Sequence, residues 1–123
     1  MEQPRLSLYD VVDACLIIDL RVFRLKPEVT SIGRKMENDC VINQSTVSRE
    51  HAKIVYEDGA FVLYDLNSTV GTFVNNIRVD KKILRTGDII LLGSYPMMFM
   101  YEDPDTIQKH ENGTGLLAPV PLY

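Results

Sequence analysis

With 123 residues, an ordinary apolar share of 46% and a formal net charge of −4, the chain has material for one domain with a single core. Its acidic balance argues against a general nucleic-acid binder, whose affinity rests largely on a basic surface. The apolar run Ala14-Cys15-Leu16-Ile17-Ile18 is closed by Asp19, well short of the ~20 residues a membrane span requires, and Glu2, Asp10 and Asp13 make the start unlike a basic secretory leader. The sequence thus predicts a cytoplasmic protein that does not engage a membrane.

In chain order, Leu8, Val11, Val12 and Cys15 fall at i, i+3, i+4 and i+7 behind Ser7, a spacing that fits a short capped helix or, equally, an extended lead-in. Leu16 to Phe23 alternates as a strand, the Lys26-Pro27 break follows, and Val29 to Ile32 forms a second strand, the two read as antiparallel. Gly33 to Asp39 is a polar loop, Cys40-Val41-Ile42 a brief strand, and Asn43 to Ser45 polar again. Ala52, Ile54 and Tyr56 alternate before Glu57-Asp58-Gly59, which predicts a hairpin into Phe61 to Tyr64. Further strands are expected at Thr72 to Val74, Ile77 to Val79, Ile83-Leu84, Asp88 to Leu92 and Met97 to Tyr101, with Asn75-Asn76 as a turn that tolerates left-handed backbone. Many short strands with frequent turns predict an all-β sandwich. From Glu102 onward, Pro104, Pro119, Pro121 and Gly113-x-Gly115 among polar residues predict a flexible tail. The domain plan is therefore an extension over 1–14, a sandwich over 15–101 and a tail over 102–123.

Cys15 and Cys40 sit in separate apolar stretches and are expected to stay reduced. His51 and His110 lie far apart, with no carboxylate or thiolate at i+3 or i+4, so neither a metal site nor a cofactor is expected. Ser48, His51 and Asp65 contain the side chains of a hydrolase triad, but no Gly-x-Ser-x-Gly elbow surrounds Ser48 and catalysis is not expected.

The chemistry lies in three polar clusters: Gly33-Arg34, Ser48-Arg49-Glu50-His51, and Asn67 through Asn75. Arg34 offers a planar fork that reaches two oxygens of a dianion, Ser48 a short hydroxyl donor, Arg49 a second guanidinium, and Thr69 a hydroxyl or N–H. Gly33 and Gly71 are read as permitting the sharp turns that bring these groups together. Such a set suits holding a phosphate on a peptide.

Taken in order, Gly33-Arg34, Ser48-x-x-His51, Ser68-Thr69-x-Gly71-Thr72-x-x-Asn75 and Leu84-x-x-Gly87-Asp88-x-Ile90-x-Leu92-Gly93 resemble the fork-head-associated (FHA) domain over roughly residues 15 to 101. The resemblance implies an eleven-stranded β-sandwich of two antiparallel sheets whose loops at one end bind phosphothreonine peptides. Arg34 and Ser48 would then hold the phosphate, Arg49 would flank it, and Thr69 would touch phosphate or peptide backbone, while Gly33, His51, Gly71 and Asn75 would brace the loops. The sequence departs from the family at Val70, where an asparagine usually bonds the peptide main chain. Valine has no such donor or acceptor and resists left-handed backbone. Asn67 is a candidate to compensate.

The implied function is a non-enzymatic adaptor for a threonine-phosphorylated protein or a Ser/Thr kinase. The alternative on the same fold is a phosphate-independent scaffold that binds a partner, or itself, through the chain ends. A third reading has phosphorylated Thr106, in an acidic stretch, supply the ligand.

Overall fold

The structure, a computed structural model, describes residues 14–102. Eleven strands follow one another: β1 Ala14–Ile18, β2 Arg21–Arg24, β3 Val29–Gly33, β4 Cys40–Val41, β5 Ala52–Glu57, β6 Ala60–Asp65, β7 Thr72–Val74, β8 Ile77–Arg78, β9 Lys81–Ile83, β10 Ile89–Leu92 and β11 Tyr95–Tyr101. They form a six-stranded sheet, in the order β2-β1-β11-β10-β7-β8, and a five-stranded sheet, β4-β3-β5-β6-β9. The expected all-β sandwich with eleven strands is what the chain adopts. Among the pairs whose register is defined, β3–β4 is parallel and the rest are antiparallel.

In β1, β5, β10 and β11 alternation explains which face turns inward, while β6 buries the adjacent pair Val62 and Leu63. Leu16, Ile32, Ile54, Leu63, Ile90, Leu92 and Phe99 are fully buried, and burying each such side chain stabilises the fold by roughly 1.5–3 kcal/mol. In β11, Met97 and Phe99 are buried while Met98 and Met100 are half-exposed, so the methionine run is core and strand surface. Phe61 links Tyr56 and Phe99 by tilted ring contacts at 4.7 and 5.8 Å.

Two hairpins turn where the sequence predicts, through Asp58 (φ 52°) and Gly59 (φ 79°) and through Asn75 (φ 50°) and Asn76 (φ 71°). A third does not. The stretch from Leu16 to Phe23, read as one strand, folds back on itself at Asp19 (φ 51°) and Leu20 (φ 65°), pairing Ile17 with Val22 and Ile18 with Arg21. Leucine rarely takes a left-handed conformation; here Leu20 does so fully exposed, and the flanking pairs impose the turn.

Of the apolar spacing at the start of the chain, Cys15 lies on strand β1, and Leu8, Val11 and Val12 fall outside the described residues, as does the tail beyond Glu102. Neither Cys15 nor Cys40 is in a disulfide, and burial pushes the Cys40 thiol up to about 11. No helix among the described residues is long and apolar enough to cross a membrane.

Candidate functional site

Four loops meet at one end of the sandwich: 34–39 after β3, 42–51 before β5, 66–71 between β6 and β7, and the β10–β11 turn at Gly93-Ser94. Backbone bonds join the first two, with Arg34 N–H donating to the Ser48 carbonyl at 2.9 Å and Lys35 N–H to the Arg49 carbonyl at 3.1 Å. Asn38 Nδ2 reinforces them by donating to the carbonyls of Lys35 at 2.9 Å and Arg49 at 2.7 Å. Gly33 matters here for a reason other than the sharp turn the sequence reading gave it. Its φ is not left-handed, and a Cβ built on it would overlap the Arg49 carbonyl oxygen. It is a point of close backbone approach.

His51 is fully buried and spends both ring nitrogens on backbone groups. Nδ1 accepts the Ser48 N–H at 2.9 Å, which places the ring proton on Nε2, and Nε2 donates to the Gly71 carbonyl at 3.0 Å. Burial lowers the His51 pKa, an effect only partly offset by the Gly71 carbonyl and the Asp65 charge. The imidazole is therefore a neutral brace between the second and third loops.

Asp65 organises the third loop. Its carboxylate accepts the Ser68 N–H at 3.1 Å, the Ser68 hydroxyl at 2.6 Å and the Thr72 hydroxyl at 2.6 Å. Burial pushes this carboxyl up, but the Ser68 and Thr72 hydrogen bonds prevail and hold it below its ordinary value. Gly71, at φ 115°, supplies a left-handed turn and accepts the Gly93 N–H at 2.8 Å. At the turn itself, Ser94 N–H donates to Thr46 Oγ1 at 3.1 Å.

The anion-binding candidates converge on this frame. Ser48 Oγ accepts the Thr69 N–H at 3.0 Å. Arg34 is exposed, with Nε donating to the Val47 carbonyl at 3.0 Å, which fixes the root of the guanidinium and leaves its terminal nitrogens at the surface. Arg49 is exposed, and no carboxylate among the described residues forms an ion pair with either arginine. The neighbouring Lys35 is instead engaged by Glu50 at 2.7 Å. Val70 is 43% exposed and is not left-handed; in this loop Asn67 (φ 58°) and Gly71 are.

Asn75 lies away from this cluster. Its amide donates to Asp88 Oδ1 at 3.0 Å and its carbonyl oxygen accepts the Ile89 N–H at 3.0 Å, so it braces the β7–β8 turn against the start of β10. Thr46 and Ser94, and the bond from Asn38 to Arg49, escape sequence reasoning because their partners are distant in the chain. The Asp65-x-x-Ser68 spacing is a local signal for a side chain capping a turn.

Together, a two-sheet sandwich with loop-end hydroxyls and arginines that form no ion pair among the described residues defines a binding module. The chain belongs to the FHA domain family, whose model matches residues 30–93. It is 37% identical over 78 residues to the glycogen accumulation regulator GarA of Mycolicibacterium smegmatis, a match covering 63% of this chain and 49% of GarA. It is 38% identical over 88 residues to the ABC transporter ATP-binding/permease protein Rv1747 of Mycobacterium tuberculosis, covering 72% of this chain and 10% of the transporter. Among solved structures it is similar to Mycobacterium tuberculosis EmbR in complex with a low-affinity phosphopeptide, with 34% identity and a TM-score of 0.69, over 72% of this chain and 24% of that one. The chain thus spans at most about half of these curated relatives.

Proposed function

We propose that residues 15–101 form a phosphothreonine-peptide reader that acts as a non-catalytic adaptor in Ser/Thr-kinase signalling or assembly. The observation that carries this reading is the Thr69 N–H bond to Ser48 Oγ. It uses an acceptor lone pair of the hydroxyl and leaves the hydroxyl proton to be donated outward, beside the Arg34 fork. Arg34 and Ser48 hold the phosphate, Arg49 flanks it, and Thr69 with Val70 meets the peptide. Gly33, His51, Gly71 and Asn75 brace loops and turns. Membership of the FHA family and similarity to EmbR, solved with a phosphopeptide, support the ligand class. The partner is a threonine-phosphorylated protein or a Ser/Thr kinase, met in the cytoplasm.

His51 is engaged by the Ser48 N–H and the Gly71 carbonyl, an arrangement that does not present a base to the Ser48 hydroxyl and so favours binding over hydrolysis. The second reading, a phosphate-independent scaffold, is favoured by exposed Val70, which has no side-chain polar group for a peptide.

Calorimetric titration with a threonine-oriented phosphopeptide library, its unphosphorylated counterpart and the Arg34→Ala variant separates the two. Phosphate-dependent binding that Arg34→Ala weakens by about ten- to a hundredfold is the expected result. Equal binding of both libraries identifies the scaffold.

A further inference from the structure

Arg78 is an exposed residue on β8, paired with Phe73 of β7; next to it, the Val79 N–H donates to the Thr72 carbonyl at 2.9 Å. This register returns the chain to the Gly71 end of β7. A Cβ built on Gly71 would lie 3.0 Å from Arg78 Cζ, 3.0 Å from Nε and 3.3 Å from Nη2. Three atoms of one planar group at nearly the same distance place the guanidinium face toward Gly71, in space that any larger residue would occupy.

The guanidinium has no hydrogen bond or ion pair among the described residues. Asp65 is occupied by Ser68 and Thr72, Glu50 by Lys35, and Asp80, two residues along, makes no ion pair with Arg78. An arginine at rest against backbone loses less freedom on binding than one swinging in solvent. It lies against Gly71, the residue that follows Thr69 and Val70 in the third loop.

We propose that Arg78 is a specificity-determining residue that reads an aspartate or glutamate side chain of the bound peptide near the phosphothreonine, an assignment that rests on the phosphopeptide reading of the loop end. One planar fork matches the two oxygens of a carboxylate. A second phosphate dianion would call for further donors, as Arg34 has in Ser48 and Arg49.

The test is calorimetry of the full chain against phosphothreonine peptides carrying Asp at one flanking position at a time, each with its Asn counterpart, for wild type, Arg78→Gln and Arg78→Lys. At one or more positions the wild type is expected to favour Asp by about two- to fivefold, the range of an exposed ion pair. The Asp/Asn ratio should fall to near unity in Arg78→Gln, and Arg78→Lys should retain part of it. The same ratio in wild type and Arg78→Gln at every position overturns the proposal and leaves the phosphate pocket standing. Failure of the wild type to distinguish phosphorylated from unphosphorylated peptides overturns the pocket and this proposal together.

Discussion

Thr69 donates its backbone N–H to the hydroxyl of Ser48 at 3.0 Å across 21 residues of sequence. The bond ties two loops into one surface and sets the rotor of the hydroxyl proposed to donate to the phosphate. Ser48→Ala removes both effects. We expect phosphopeptide affinity to fall by about ten- to a hundredfold, the loss of one hydrogen bond to a charged group, with a change in unfolding free energy of about 1 kcal/mol in urea titrations.

His51 joins the same loops from beneath. Its pKa is lowered by burial, so the unfolded chain binds a proton at higher pH than the folded one. Its contribution to stability is therefore present above the ordinary value of 6.5 and is lost as pH falls from there through the lowered folded value. His51→Ala orphans the Ser48 N–H and the Gly71 carbonyl and should destabilise by about 2–4 kcal/mol. Denaturant titrations of wild type and variant at several pH values check both: the wild type should lose stability below that point, and the variant should show a shallower pH dependence.

Gly33 and Gly59 should respond differently to alanine. At Gly33 the new Cβ meets the Arg49 carbonyl oxygen, so β3 must part from the second loop, at a cost of roughly 3 kcal/mol or more and with weaker phosphopeptide binding. At Gly59 nothing lies within 4 Å of the Cβ, and the penalty is that of φ +79°, roughly 1–2 kcal/mol, with binding unaffected. Thermal unfolding and calorimetry on the two variants read this contrast.

Val70→Asn places a donor and an acceptor at a 43% exposed position where the family usually carries asparagine. One added neutral hydrogen bond to the peptide main chain should tighten phosphopeptide binding by about two- to tenfold. The melting temperature should hardly move, because Val70 is neither core nor left-handed. Parallel calorimetry and thermal unfolding measure the two quantities.

Much of the sandwich was legible because local forces carry it. Alternation marks the buried faces of β5 and β11, and the residues at Asp58-Gly59 and Asn75-Asn76 tolerate the left-handed backbone their turns adopt. The chemistry of Gly33-Arg34, Ser48 to His51 and Ser68 to Thr72 pointed to an anion site, and their resemblance to the FHA domain placed it at the loop end; Asn75 lies at the other end. The reversal at Asp19-Leu20 was not legible, since leucine gives no turn signal and the pairing of β1 with β2 imposes it. Nor were the bridges from Asn38 to Arg49, from His51 to Gly71 and from Arg78 to Gly71. Each joins groups brought together by sheet register and loop closure, and such long-range contacts leave no periodic trace along the chain. Residue types and their order thus determined the class of fold and the chemistry available, whereas only the closed sandwich decided which nitrogen faces which oxygen and which arginines form no ion pair among the described residues.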